Sequence, residues 1–208
     1  MKKRLKIKTK KSEKRKQEDF WQKNYSLSWH YILECKNYIL FILLLFLFSF
    51  YIALFYQPPE IVEIIRKFVE ELLRKTQGLN TWQMIIFILD NNLKSSFFAM
   101  LLGIFLGIFP VATTFVNGYI LGFIAEKAMK IEGSFILWRL FPHGIFELPA
   151  VVLALALGTK LGMFIFSKEK KKEFLRRLEN SLRVFLFVIL PLLIIAAIIE
   201  GILVGMLG

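Results

Sequence analysis

Long apolar runs alternate along the chain with short segments dense in lysine, arginine and glutamate. The first run, residues 37–56, is twenty residues without a charge, long enough to cross a hydrocarbon core of about 30 Å as a helix. Pro58 and Pro59 stop it, because proline breaks the hydrogen-bond ladder. Over 59–77 the pattern changes: Ile61, Ile64, Ile65, Phe68, Val69, Leu72 and Leu73 recur at helical spacing, and four acidic and four basic residues fill the opposite face. That predicts an amphipathic helix at the membrane surface. Residues 91–129 are again apolar, and as one helix they would extend roughly 57 Å, too long for one crossing. Two spans, 91–109 and 111–128, joined near Phe109–Thr114 around Pro110, fit better. Further spans follow at 142–166 and 183–207, with an interfacial turn or short helix over 135–141. The expected fold is therefore all-α: a polytopic helical bundle of five spans (37–208) behind a basic tail (1–36).

Charge decides the topology. The 208 residues carry a formal +12 although 56% are hydrophobic and only 21% charged. That apolar share exceeds what soluble domains tolerate. Residues 1–36 hold twelve basic and four acidic side chains (+8), and residues 167–183 hold seven and three (+4). The two segments account for the whole excess, and both flank apolar runs, as the positive-inside rule requires. Both then face the cytoplasm, four crossings separate them, and the C-terminus lies outside in a cell membrane. A cleaved signal peptide does not fit: the basic region ahead of residue 37 is too long and no small-residue cleavage pattern follows the run. Phe20, Trp21, Tyr25, Trp29 and Tyr31 interleave with lysine and asparagine in the tail. They suit an interfacial helix on anionic lipid better than nucleic acid. Cys35 is the sole cysteine, which rules out an intrachain disulfide and leaves juxtamembrane acylation open.

Glycine placement predicts the packing. Gly103/Gly107, Gly118/Gly122, Gly158/Gly162 and Gly201/Gly205 are four-residue pairs, each extended by small residues on the same face. Such faces let helix backbones approach closely in lipid. Spans two to five are therefore expected to form the compact bundle. Span one, with only Ser49 and Ala53, is expected to be peripheral. The same faces are candidates for a homo-oligomeric contact.

Ionisable groups in a bilayer are costly and mark function by default. The candidates are Lys94, Glu126, His143, Glu147 and Glu200, with Asn91, Asn92 and Asn117. Except for Asn117, the five-span layout sets them toward the outer ends of their helices. The densest feature is Phe141-Pro142-His143-Gly144-Ile145-Phe146-Glu147-Leu148-Pro149-Ala150. Pro142 suits a first helical position, Glu147 shares a face with His143, and Pro149 leaves the Ile145 carbonyl without its helical donor. A structural brace is the favoured reading of His143 and Glu147, ahead of substrate or ion contact and of a catalytic metal. No catalytic set, metal site or cofactor motif is complete in the sequence.

The run Pro142-His143-Gly144-x-x-Glu147-Leu148-Pro149-Ala150 resembles the signature of the stage II sporulation protein M family of integral membrane proteins. Asn91-Asn92 before Ala99, Gly103 and Gly107, then Asn117-Gly118 with Gly122, and Gly158 with Gly162 extend the resemblance over about 85–205. It implies a membrane component that works with membrane-anchored partners remodelling septal peptidoglycan, with no established catalytic residues of its own. The Lys- and Ile-rich style suits a non-sporulating source. A non-enzymatic scaffold for envelope or membrane remodelling, with protein partners, is therefore expected. The alternatives are a transporter, flippase or channel-like protein using the outer polar cluster, and an intramembrane hydrolase using His143 and Glu147 with a metal.

Overall fold

In the computed structural model, residues 2–133 and 137–207 are described, with side chains over 18–131 and 144–204. The described residues form helices joined by short turns: α1 (Lys2–Glu34), α2 (Lys36–Phe55), α3 (Pro59–Thr76), α4 (Thr81–Leu101), α5 (Ile108–Glu132), α6 (Leu137–Gly162), α7 (Lys170–Val184) and α8 (Leu190–Leu207). Five stretches are long and apolar enough to cross a membrane: Lys36–Phe55, Thr81–Ile104, Ile108–Ile131, Gly144–Phe166 and Lys170–Val204. The chain is an all-α, multi-pass bundle.

The second span starts earlier than the expected residue 91. The Asn80 side chain accepts from the Gln83 backbone N–H (2.9 Å) while the Gln83 side chain accepts from the Asn80 N–H (3.0 Å), a capping box that starts α4. Asn91, Asn92 and Lys94, expected at the start of span two, fall within the helix instead. The joint between spans two and three also lies upstream of Pro110. A short 3₁₀ turn, Leu102–Ile104, leads to Leu106 (φ 56°) and Gly107 (φ 70°), and this left-handed pair reverses the chain into α5. Pro110 then sits in the first turn of α5, where its missing N–H costs nothing. Pro142 is not at a helix start, as expected, but inside α6, which is already helical from Leu137. The rest of the turn expected over 135–141 lies outside the described residues. The fifth span is continuous from Lys170, with a π-helical turn at Phe185–Ile189. Pro191 follows it and has no N–H to return to the Phe187 carbonyl, a common cause of such irregularity.

Helix α6 is the centre of the bundle; 61% of its span is buried, more than of any other. Its C-terminal half is zipped to the α4–α5 turn almost backbone to backbone. A Cβ on Gly103 would lie 2.1 Å from the Gly158 carbonyl oxygen, and one on Gly162 2.1 Å from the Gly107 nitrogen. Gly158 itself faces Pro110 and Met100. On the other side Gly118 and Gly122 of α5 meet the Phe46 and Phe50 carbonyls of α2, at 2.5 and 2.3 Å from the positions a Cβ would take. Ser49 reinforces this seam by donating to the Phe115 carbonyl (2.5 Å). Span one is therefore not peripheral. Ile42, Phe46, Ser49 and Ala53 form a buried stripe on α2, and the two small residues suffice to admit the glycines of α5. Gly201 of α8 faces the Ile85 side chain of α4, with the Ile85 backbone just beyond. Gly205 lies in α8, but its surroundings fall outside the described residues.

Helix α3 docks by one edge. Ile65 is buried with Ala53, Tyr119 and Phe123, a burial worth about 2 kcal/mol for an isoleucine. Ile61, Ile64 and Phe68 remain exposed beside it.

Candidate functional site

A concentration of partnered charge lies where α1, α7 and the C-terminal end of α6 meet, around a lysine that the apolar pattern conceals. Lys160 sits between Thr159 and Leu161 in the glycine face of α6 and is only 6% exposed. Its ammonium contacts the Glu34 carboxylate at 3.2 Å and lies 4.1 Å from the centre of the Tyr31 ring, so an ion pair and a cation–π contact share one charge. Arg176 of α7 donates to the same Glu34 oxygen at 3.2 Å and grips Glu173 through two nitrogens, at 3.1 and 3.2 Å. Arg177 donates to the Lys160 carbonyl (2.7 Å), to Ser167 Oγ and to Glu173. Burial alone would raise the Glu34 carboxyl, but hydrogen bonds from Arg176 and Lys160 outweigh it and hold the group below its ordinary 4.5. Burial pushes the Tyr31 hydroxyl and the Cys35 thiol up. With every charge answered, this cluster is a clamp that fixes α1 to the bundle.

Cys35 lies in that clamp with no exposed surface, packed with Tyr31, Met100 and Leu157. The acylation considered from its juxtamembrane position is therefore sterically closed in the folded chain. The tail aromatics are partly engaged too: Phe20, Trp21 and Tyr25 surround the Phe187 ring at centroid distances of 6.1, 5.4 and 5.8 Å. Arg183 donates to Asn24 at 3.2 Å. From Phe20 onward the tail is a helix docked along α7 rather than a free segment.

The residues singled out from the sequence are spread over several helices. Glu147, in the N-terminal half of α6, and Glu200, in the C-terminal half of the adjacent α8, are half-buried. Gly144 has open space around it, its nearest neighbour being Leu148 Cδ1 at 3.8 Å from a Cβ position. Pro149 is exposed. The side chains of Pro142 and His143 lie outside the described residues. Asn117 and Gly118 are not drawn to that end; Gly118 belongs to the α2–α5 seam. Asn92 is half-buried on α4 and accepts from Asn91 at 3.3 Å. Glu126 is answered locally, by Lys130, by Lys127 at 3.3 Å and by Gln57 at 3.2 Å. Nearby, Tyr119 donates to the Tyr56 carbonyl and ties α5 to the end of α2. Among the described residues no group of three or more His, Cys, Asp or Glu is placed to hold a metal.

Sequence reasoning missed the clamp because Lys160 sits in a helix selected for its glycines and Glu34 in a tail selected for its net charge. The available signal was a single lysine inside an otherwise uncharged 20-residue stretch.

Comparison with known proteins adds the following. A family model described as stage II sporulation protein M matches residues 38–204. An uncharacterized protein of Methanocaldococcus jannaschii is 30% identical over 181 residues, covering 80% of each chain. No solved structure matches.

Proposed function

The chain belongs to the stage II sporulation protein M family of multi-pass membrane proteins, and from that premise we propose that it acts as a non-enzymatic membrane scaffold, holding partner proteins that remodel the envelope or membrane. The observation that carries the reading is the glycine lock of Gly103, Gly107, Gly158 and Gly162. An alternating-access transporter uses its broken helices as moving parts around a site near the midplane. Here the break at 105–107 is held against the α6 backbone, with no room for a single methyl group, and the clamp on Lys160 fixes the helix beside it. Such a framework suits a body that presents fixed outer surfaces. The basic segments 1–36 and 167–183 are assigned to the cytoplasm and the C-terminus to the outside, by the positive-inside rule.

The test is cross-linking in native membranes before solubilisation, followed by purification and mass determination. The scaffold reading expects the same partner proteins at fixed stoichiometry in repeated preparations. A protein that is recovered without protein partners overturns it. The competing transporter reading draws on the half-buried Glu147 and Glu200. Liposome flux that disappears in Glu147→Gln would put that reading in its place.

A further inference from the structure

The outward face of α4 carries a polar stripe inside a membrane-length helix. Gln83, Asp90, Asn91 and Lys94 are exposed, and Phe98, Leu102 and Phe105 continue the face toward the inner end. The span runs from Thr81 to Ile104. At 1.5 Å per residue Asp90 lies about 13 Å and Lys94 about 20 Å from its outer end, which is the middle third. Trp82, 68% exposed, stands at the outer end, where interfacial aromatics collect. Lys94 pairs with Asp90 at 2.8 Å, yet the two side chains remain 64% and 55% exposed. One contact answers one of three ammonium hydrogens and one of about four lone-pair sites on the carboxylate. Among the described residues Asn91 makes a single side-chain hydrogen bond, the 3.3 Å contact with Asn92. Lipid tails answer none of what is left.

We propose that this face is the contact between two copies of the chain, α4 against α4, about a two-fold axis along the membrane normal. The stripe is complementary to itself. Two copies inserted in the same direction place identical residues at identical depth, so whatever pairs across the axis must suit its own copy. An asparagine amide both donates and accepts, and pairs with another Asn91. Asp90 and Lys94 are one turn apart, so each carboxylate reaches the ammonium of the other copy while keeping its own. The net charge of the stripe is zero, which fits an identical face; a partner of single-sign charge would leave one group opposed. Polar residues at such a contact also fix its register. The inference goes beyond the scaffold reading and is tested separately from it, since only self-contact is measured.

The buried Cys35 makes the wild-type chain its own control. Asn91→Cys and Phe98→Cys are placed on the proposed face, and Phe48→Cys on the outward face of α2, where Phe48 is 59% exposed. Oxidation in membranes is expected to give covalent dimers of twice the chain mass at 91 and 98, and few at 48 or in the wild type. Asp90→Lys or Lys94→Asp alone is expected to lower cross-linking at 98 by about tenfold, because each creates two like-charge contacts across the axis. The double exchange is expected to restore it. Light scattering on the wild-type protein in nanodiscs gives an independent reading, with a dimer expected. A strict monomer there, equal cross-linking at 48 and 98, or a product with a protein of another mass each overturns the proposal.

Discussion

Lys160 and Lys94, two of the lysines within the membrane-length helices of this chain, meet opposite fates. Lys160, at the C-terminal end of α6, is 6% exposed and answered by Glu34, the Tyr31 ring and the surrounding arginines. Lys94, on the outward face of α4, is answered among the described residues only by Asp90 of its own helix and remains mostly exposed. Burial with complete pairing turns the first into a brace between elements far apart in sequence. A lone intrahelical partner leaves the second neutralised but uncovered. The difference separates charge that joins elements of this molecule from charge left on its outward face. It also shows that an ionisable residue in a span is informative only once its neighbours are known.

The sharpest way to break the clamped region is to act on the glycine face beside Lys160. Gly158→Val forces side-chain atoms into Pro110 and the Met100 backbone, at 2.8–2.9 Å from the position of a mere Cβ. Backbone is among these neighbours, so the strain should exceed the usual overpacking cost of about 1–3 kcal/mol. The expected outcome is no monodisperse protein on size exclusion in detergent. Gly144→Ala, with nothing nearer than 3.8 Å, is expected to keep the wild-type melting temperature or raise it slightly, since alanine favours the helix by about 0.5–1 kcal/mol.

Glu34→Gln comes next. It leaves the buried Lys160 ammonium without its carboxylate. Breaking a fully buried pair costs about 3–5 kcal/mol; the 37% exposure of the Glu34 side chain discounts this to about 2 kcal/mol. Acid should mimic the substitution. The folded-state value of Glu34 is held below its ordinary 4.5, so its contribution is fully present above 4.5 and is lost as the pH falls through the folded value. Melting curves from pH 7 to pH 3 should show the gap between wild type and Glu34→Gln closing only below 4.5. A gap that stays constant across that range would remove Glu34 from the clamp.

Much of the fold was legible because lipid imposes a strict grammar: charge-free runs of about 20 residues, basic flanks and four-residue glycine spacing read directly as helices, ends and seams. The misreadings have a common origin. The sequence starts span two at Asn91, too late, because nothing local reveals that Asp90 and Lys94 neutralise each other within one turn. Span one seemed peripheral because Ser49 and Ala53 look too few to make a seam, yet the glycines opposite them on α5 supply the missing space. Pro142 suggested a helix start, although a helix packed in a membrane bundle tolerates an internal proline. The clamp was invisible for a topological reason: Glu34 and Lys160 are 126 positions apart, and no local pattern links a tail carboxylate to a lysine in the fourth span.

The smallest expected effect is the most direct test of the contrast, because it applies one substitution to both lysines. Methionine keeps the length and apolar stem of lysine and deletes the charge. In Lys160→Met, Glu34 keeps Arg176 as a partner but loses a charge-assisted hydrogen bond, and Tyr31 loses the cation over its ring, so a loss of about 1–2 kcal/mol is expected. In Lys94→Met, no other helix loses a partner among the described residues, since there the ammonium touches only Asp90 of its own turn. The stability of the dilute, detergent-solubilised monomer should then change by less than about 0.5 kcal/mol, the worth of an exposed i,i+4 pair. Chemical denaturation of both variants in one detergent reads the two numbers side by side. Equal losses would mean that Lys94 braces the bundle as Lys160 does, and the division between inward and outward charge would fail. A loss confined to Lys160→Met assigns the outward pair no part in holding the monomer together, so that its place within a span must be explained by what covers α4 in the membrane.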